Sequence, residues 1–371
     1  MNIGIDARLL STKVRGIYKY VAKIIEFVPR FDNENNYFVF QYEDLPADNA
    51  FYNYIKIPRS KLPRQLYEHF WLNFKLPGLI KKNSIDIFFT PYMFVPFYKG
   101  KWKNVIVIHD ALTKVCKEYF SFHYRKYLDL LVPASIRRSD AIITISKSAL
   151  NDIINYYPVS PDKIRYLHHW TDEIFRPAEI PENEKNKILK KYNIPAQYIL
   201  FVSVLEERKN LRGILKVSDM LTSQSIDIKF VLVGREGFGF NKIRNEIQLR
   251  KERIIVLQNV DSDSDLVALY NLARIFFFPT HYEGFGLPPL EAMKCGVPVV
   301  TSNNSSLPEV VGKGGIMGDA DDYEFFANSI KKLLEDEKFY GLMKNKAIEQ
   351  AKKFNPNDHI LNLTKIFNSL K

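Results

Sequence analysis

The feature that most constrains this chain is a recurring alternation. Short apolar runs are separated by stretches with amphipathic helical spacing. In the first half, "NIGID", "NYFVFQY", "SIDIFFT", "NVIVIHD" and "DAIITIS" read as strands. In the second half, "YILFVSV", "DIKFVLVG", "RIIVLQNV", "RIFFFPT" and "GVPVVTS" do the same. Helical patterns run over Ile17 to Phe27, Tyr124 to Arg138, Asn210 to Leu221, Lys242 to Arg250 and Asp263 to Ala273. Strands that are apolar along their whole length need cover on both faces, so this order predicts parallel sheets flanked by helices.

The alternation pauses between Thr171 and Gln197, where three prolines and many charges surround the polar helix "NEKNKILKKYN". With 371 residues there is room for two sheets. We therefore expect an α/β protein of two doubly wound, Rossmann-like domains facing each other across a cleft. The expected bounds are 1–175 for the first domain, 176–196 for a linker and 197–355 for the second. The helix 356–371 would cross back to the first domain. In such folds ligands bind beyond the carboxyl ends of the strands, where the strand order reverses.

Bulk properties remove several classes. No basic-then-apolar leader precedes the first strand, and no apolar run approaches the ~20 residues a spanning helix needs. Two cysteines, Cys116 and Cys295, are too few for a disulfide framework. A cytoplasmic location fits. The net charge of +11 is concentrated: residues 51–150 hold 17 Lys and Arg against 6 Asp and Glu, leaving 36 of each elsewhere from totals of 53 and 42. The same stretch holds 19 aromatic residues, as in "LPRQLYEHFWLNFKLPGLIKK". A basic, aromatic-rich face suits an anionic membrane surface, or simply a solvated face over an aromatic core. No RNA- or DNA-binding motif accompanies it, so no nucleic-acid partner is expected.

The chemistry concentrates in "IFFFPTHYEGFGLPPLEAMKCG". It reads strand, loop, helix: Pro288 or Pro289 suits the first helical position, and Gly296 suits the position just past the end. The free amides at such a helix start, with the positive end of its dipole, favour an anion. The glycines let backbone approach a ligand closely. Glu283 on the loop and Glu291 in the helix flank this turn. Ordinary helix punctuation is the competing reading. A second piece, "YILFVSVLEERKNLRGIL", puts Arg208 and Lys209 at a strand-to-helix turn. There they can neutralise a diphosphate, Arg as a bidentate fork and Lys as a point charge. By itself an exposed "ERK" is usually only solvated.

Several motifs in order carry a family resemblance: "IGIDARLL…GIYKY", "VIVIHDALT", "ITISKSALNDI", "SVLEERKN" and "HYEGFGLPPLEAMKCGVPVVTSNNSSLPEVVG". Together they resemble the retaining, nucleotide-sugar-dependent glycosyltransferases of family 4, especially the mannosyltransferase-like branch, over nearly the whole chain. The resemblance implies the two-domain GT-B fold. It implies Glu283 against the donor sugar, Glu291 on the donor ribose, and Arg208 and Lys209 on the diphosphate. Amides of Gly284, Phe285, Gly286 and Leu287 would help hold the donor, and His109 would sit near the reacting carbon. A satisfied core histidine is the alternative for His109. Gly16 would admit the donor phosphate or acceptor beside the first helix. The base would lie near Gly234-Arg235 and Asn259-Val260.

By the same resemblance the donor is a nucleotide sugar, GDP-mannose before UDP-sugars. The acceptor is a glycan or polyprenyl-diphosphate-linked glycan in surface polysaccharide synthesis. The region 51–150 would dock the protein peripherally on the inner membrane face. No cofactor or metal is expected, since fixed cations and amides can stabilise the leaving diphosphate. "DSDSD" at Asp261 to Asp265 reads as a helix-start cap rather than a metal motif. Retention would follow same-face attack by the acceptor hydroxyl, no carboxylate standing out as a nucleophile. A non-catalytic GT-B glycan-binding scaffold is the alternative. Four positions depart from the family pattern: Tyr18 and Lys19 after the first glycine, Ser203 before the Arg-Lys turn, and His169. His168 and His169 read as neighbours on a strand, facing opposite ways, and so as no metal pair.

Overall fold

In the computed structural model, residues 1–11, 15–43, 45–61 and 64–371 are described. Residues 62–63 of the aromatic "LPRQLYEHF" stretch lie outside them. The chain divides into two compact units, Met1–Val115 with Phe120–His168 and Pro356–Lys371, and Cys116–Tyr119 with His169–Asn355.

The first unit is built on a seven-stranded parallel sheet. Its strands are β1 (Asn2–Asp6), β2 (Asn36–Tyr42), β3 (Tyr52–Ile57), β4 (Ile87–Thr90), β5 (Lys103–Val107), β6 (Ala141–Thr144) and β7 (Ile164–Tyr166). Their spatial order is β3-β2-β1-β4-β5-β6-β7. The second unit has six parallel strands: β8 (Tyr198–Val202), β9 (Lys229–Val233), β10 (Ile254–Leu257), β11 (Ile275–Phe278), β12 (Val299–Ser302) and β13 (Gly315–Gly318). Their order is β10-β9-β8-β11-β12-β13. Each order reverses once, between β1 and β4 in the first sheet and between β8 and β11 in the second. Both sheets are doubly wound and Rossmann-like, the fold expected.

The strands read from apolar runs are all present, and β4, β8, β9, β11 and β12 are buried almost throughout. Three further strands, β3, β7 and β13, form sheet edges. The polar stretch Glu182–Tyr192 is helical and ends at Asn193, which takes the left-handed conformation (φ 50°). It is tied to the second unit by ion pairs from Lys191 to Asp261 (2.8 Å) and Asp265 (2.7 Å). Helix expected over Lys242 to Arg250 is interrupted: a turn at Phe240–Lys242 precedes a short helix, Arg244–Gln248.

The C-terminal helix Pro356–Asn368 belongs to the first unit. His359 secures it. Its Nδ1 lies 2.9 Å from the carbonyl of His168 and its Nε2 3.1 Å from the Tyr20 hydroxyl. The carbonyl needs a donor, so Nδ1 carries the proton and Nε2 accepts from Tyr20. Burial lowers the His359 pKa to about 4, which keeps this neutral tautomer. The first core gathers Phe40, Trp71, Phe88, Ile106 and Ile142 between sheet and helices.

His168 and His169 do not lie on a strand; both follow the end of β7, which corrects the reading of them as strand neighbours. Among the described residues no group of three or more His, Cys, Asp or Glu is placed to hold a metal ion. No described helix is long and apolar enough to cross a membrane. Ser262 caps the helix Asp263–Leu272, accepting from the Asp265 amide at 3.1 Å, so "DSDSD" starts a helix.

Candidate nucleotide-sugar site

The loops after β8 and β11 emerge at the reversal of the second sheet, where a doubly wound sheet opens a crevice beyond its strand ends. After β8 the chain makes a single turn, Glu207–Lys209, and then the helix Leu211–Ser223. Asn210 joins them in the left-handed conformation (φ 55°), its side chain accepting from the Gly213 amide at 3.0 Å. Gly213 is needed there, because a Cβ would fall 2.6 Å from the Asn210 side-chain oxygen.

After β11, the loop carries Glu283 to Gly286 into the helix Leu287–Lys294. Gly286 holds φ 106°, a conformation that favours glycine, and Pro288 occupies the second helical position. At the other end Gly296 (φ 75°) and Val297 donate to Met293 and Ala292, at 3.0 and 2.9 Å, a Schellman closure. Pro288 and Pro289 carry no N–H and Leu290 donates to the Gly286 carbonyl at 3.3 Å, so Leu287 is the first-turn residue whose amide has no intrahelical acceptor. Two serines hold the loop from β12's side. Ser305 Oγ accepts from the Glu283 amide (2.9 Å), and Ser306 Oγ lies 2.9 and 2.6 Å from the carbonyls of Glu283 and Phe285.

Four charged side chains from these two loops meet. The Lys209 ammonium contacts the Glu283 carboxylate. Arg208 donates to the Tyr282 carbonyl and pairs with Glu206, while its Nη1 lies 3.8 Å from Glu283 Oε1. Lys209 and Arg208 are buried. Desolvation lowers the Lys209 pKa, against the opposing pull of Glu283 and with help from nearby Arg208. A compact cationic pair thus stands beside a carboxylate and a helix start, without bulk water to screen it.

Glu291 lies one turn into the helix. Tyr270 donates to its Oε2 at 2.8 Å and the Thr171 hydroxyl lies 3.4 Å from Oε1. Neither partner figured in the sequence reading; no local pattern links residues 171, 270 and 291. The serine pair was visible in "SNNSSLPE" but carried no assigned role. Arg235 is exposed on the loop after β9, and Val260 is half-buried after β10. Gly234 closes the gap between the loops after β8 and β9: a Cβ on it would fall 1.7 Å from the Ser203 carbonyl.

Two expected residues belong to the first unit. His109 follows β5, with Nε2 3.3 Å from the Pro91 carbonyl and its ring edge-on to Tyr20 at 5.6 Å. Burial lowers its pKa, so it is neutral near pH 7. Gly16 is exposed in the helix Arg15–Phe27, and no described atom lies within 4 Å of where a Cβ would stand.

Two family descriptions divide the chain between them: glycosyl transferases group 1 over residues 184–354, and glycosyltransferase family 4 over residues 14–173. The chain belongs to glycosyltransferase family 4. Among its relatives, the serotype-specific mannosyltransferase WbdA of Escherichia coli is 31% identical over 277 residues, 70% of this chain. The O-antigen chain mannosyltransferase B of Escherichia coli is 34% identical over 259 residues, 68% of this chain. The matched regions span 32% of WbdA and 66% of mannosyltransferase B. Among solved structures, sucrose-phosphate synthase of Thermosynechococcus elongatus superposes with a TM-score of 0.76 at 17% identity, covering 100% of this chain and 99% of that one. This family 4 chain therefore has the GT-B type of fold and mannosyltransferase-like relatives.

Proposed function

We propose that the protein is a retaining glycosyltransferase that moves mannose from GDP-mannose to a glycan or polyprenyl-diphosphate-linked glycan in surface polysaccharide synthesis. The observation that carries this reading is the meeting of Arg208, Lys209 and Glu283 beside the helix start at Gly286. Such a site suits a sugar nucleotide. The cations and amides take the diphosphate and stabilise its charge as it leaves; Glu283 takes sugar hydroxyls; Glu291 takes the ribose diol. This stabilisation uses groups fixed before the reaction begins, which is where electrostatic catalysis gains most. It needs no metal. The mannosyltransferase relatives support mannose, and with it a guanine nucleotide. Same-face attack by the acceptor hydroxyl, assisted by the departing phosphate, accounts for retention without an enzyme nucleophile.

The test is a thermal-shift series with GDP, UDP, ADP and their sugars, since a ligand that binds only the folded state raises the melting temperature. The expected result is a shift with GDP and GDP-mannose. A shift with UDP alone overturns the donor assignment, and no shift with any of them favours the non-catalytic scaffold. Trapping a covalent glycosyl-enzyme would overturn the same-face mechanism.

We also place the first unit on an anionic membrane. Phe70, Phe74, Phe97 and Tyr98 are exposed. The Phe70 and Phe74 rings lie tilted 5.4 Å apart, and Asn73 accepts from the Phe97 amide at 2.7 Å, so two chain segments share the patch. Arg138 lies over the Phe97 ring at 5.7 Å. Aromatic rings beside cations suit a headgroup layer. Sedimentation with phosphatidylglycerol vesicles should be strong at low salt and should weaken with salt and with Phe74→Ser. No sedimentation at low salt overturns it.

A further inference from the structure

The chain enters the second unit at His169, and its first residues there touch three parts of the candidate site. His169 packs against Phe285 of the loop Glu283–Gly286, with ring centroids 5.8 Å apart. The Thr171 hydroxyl lies 3.4 Å from Glu291 Oε1. The Thr171 carbonyl accepts from the Lys294 ammonium at 3.1 Å, so this residue is tied to the helix Leu287–Lys294 at two points. Phe175 stands edge-on to Tyr270 at 5.6 Å, and Tyr270 donates to Glu291 Oε2 at 2.8 Å. Beyond Phe175 the segment is fastened again. The Ala178 amide donates to Asn271 Oδ1 at 2.9 Å, and Asn271 Nδ2 donates to the Arg176 carbonyl at 3.2 Å.

These contacts lie in the interior: Thr171, Phe175 and Tyr270 are 5%, 2% and 0% exposed. Bulk water does not compete there, and a hydroxyl that donates to a carboxylate makes one of the stronger hydrogen bonds. The helix fixes where the Glu291 backbone lies, but not how its carboxylate is turned. A carboxylate that receives two adjacent ribose hydroxyls has to keep its plane toward them, and a long side chain does so only when its surroundings hold it. Two hydroxyls meet Glu291, one at each oxygen. Thr171 lies on the entering segment. Tyr270 is braced by that segment through Phe175.

We propose that the segment His169–Ala178, where the chain passes from one unit to the other, positions Glu291 for the ribose of the donor. Thr171 acts on the carboxylate directly, and Phe175 acts through Tyr270. These are positioning residues, and they set the preference for ribose over 2′-deoxyribose. Linkage is reciprocal: a segment that orders Glu291 for the ribose is itself ordered when the ribose binds. Nucleotide occupancy is therefore felt on the covalent path between the units. The proposal rests on the assignment of Glu291 to the ribose diol above.

The test is titration calorimetry on the full chain with GDP and 2′-deoxy-GDP, and with UDP and 2′-deoxy-UDP. The native protein should prefer the ribonucleotide of the pair it binds by about tenfold, the usual loss for a hydrogen bond to a charged group. Thr171→Val combined with Phe175→Leu should shrink that preference roughly threefold, the scale of one neutral hydrogen bond. A merely structural role would lower the melting temperature and weaken both nucleotides alike. An unchanged preference in the folded double variant overturns the positioning role and leaves the ribose assignment standing. Equal binding of the ribo and deoxy forms by the native protein overturns the ribose assignment, and the inference with it. No binding of either pair overturns the glycosyltransferase reading beneath both. Where the double variant fails to fold, hydrogen exchange on the native chain carries the test. At saturation, amides of residues 169–178 should exchange more slowly with the ribonucleotide than with its 2′-deoxy form. Equal exchange overturns the inference.

Discussion

The two sheet reversals are the same architectural position filled with different chemistry. At the second, Arg208 and Lys209 face Glu206 and Glu283, two cations with two carboxylates, and the helix Leu287–Lys294 begins just after Glu283. At the first, Arg8 donates to both carboxylate oxygens of Asp6. The cations at the second suit a diphosphate, whereas at the first the guanidinium is already matched by a carboxylate. A doubly wound sheet supplies the crevice, while the few residues after its inner strands choose the ligand. The two positions also differ in what is left undone. Lys209 is partnered by Glu283 and must give up that contact to a donor, whereas Arg8 keeps its carboxylate.

Breaking the second cluster should have the largest effect. Lys209→Met or Glu283→Gln should lower kcat by ~10²–10³-fold, the scale for losing one fixed stabilising group. An equal loss from Arg8→Gln would erase the distinction between the two positions. Steady-state transfer assays with each variant decide it.

The first unit should show an acid weakness through His359. Its folded pKa of about 4 lies below the ordinary 6.5, so the unfolded chain binds the proton first. The stability is therefore fully present above about pH 6.5 and is lost as pH falls toward 4, amounting to about 3 kcal/mol. Urea midpoints between pH 7.5 and 4.5 should fall for the native protein and fall less for His359→Gln.

The alkaline limb belongs to the second cluster. Lys209 has a lowered pKa, so it loses its charge before an ordinary lysine at 10.5 would. Nucleoside-diphosphate affinity should drop about tenfold as Lys209 loses its proton on the alkaline side, below the pH at which an ordinary lysine would, as a charged hydrogen bond becomes neutral. Titration calorimetry on the native protein and Lys209→Arg checks it, since the arginine should hold affinity to higher pH.

The smallest effect is expected for Ser306→Ala, which removes the hydroxyl beside the Glu283 and Phe285 carbonyls. It should cost about 1 kcal/mol of stability. It should also raise the donor KM a few-fold, by loosening the loop that carries Glu283.

Most of the inner architecture was legible because inner parallel strands are buried on both faces. "IFFF" and "YILFV" have to be apolar throughout, and such runs are visible locally. The three strands missed are edges. "YNYIKI", "IRY" and "GIMG" are short, mixed or glycine-containing, since an edge has solvent on one side and weaker demands on composition. The candidate site was legible where it was contiguous. Gly286, Pro288 and Gly296 are helix-boundary residues whose conformational preferences belong to the residues themselves. Arg208 and Lys209 could be read as a turn, but not as partners of a carboxylate 74 residues on.

The sequence by itself determined the doubly wound class, the helix start after Gly286 and the residue types available to a diphosphate. These depend on local conformational preference and on burial patterns that repeat every strand. Tertiary structure decided that Lys209 meets Glu283, that Tyr270 and Thr171 orient Glu291, and that Arg8 spends two nitrogens on Asp6. Those outcomes depend on which strand ends lie side by side, and strand order is set by packing of the whole sheet, which no local stretch encodes.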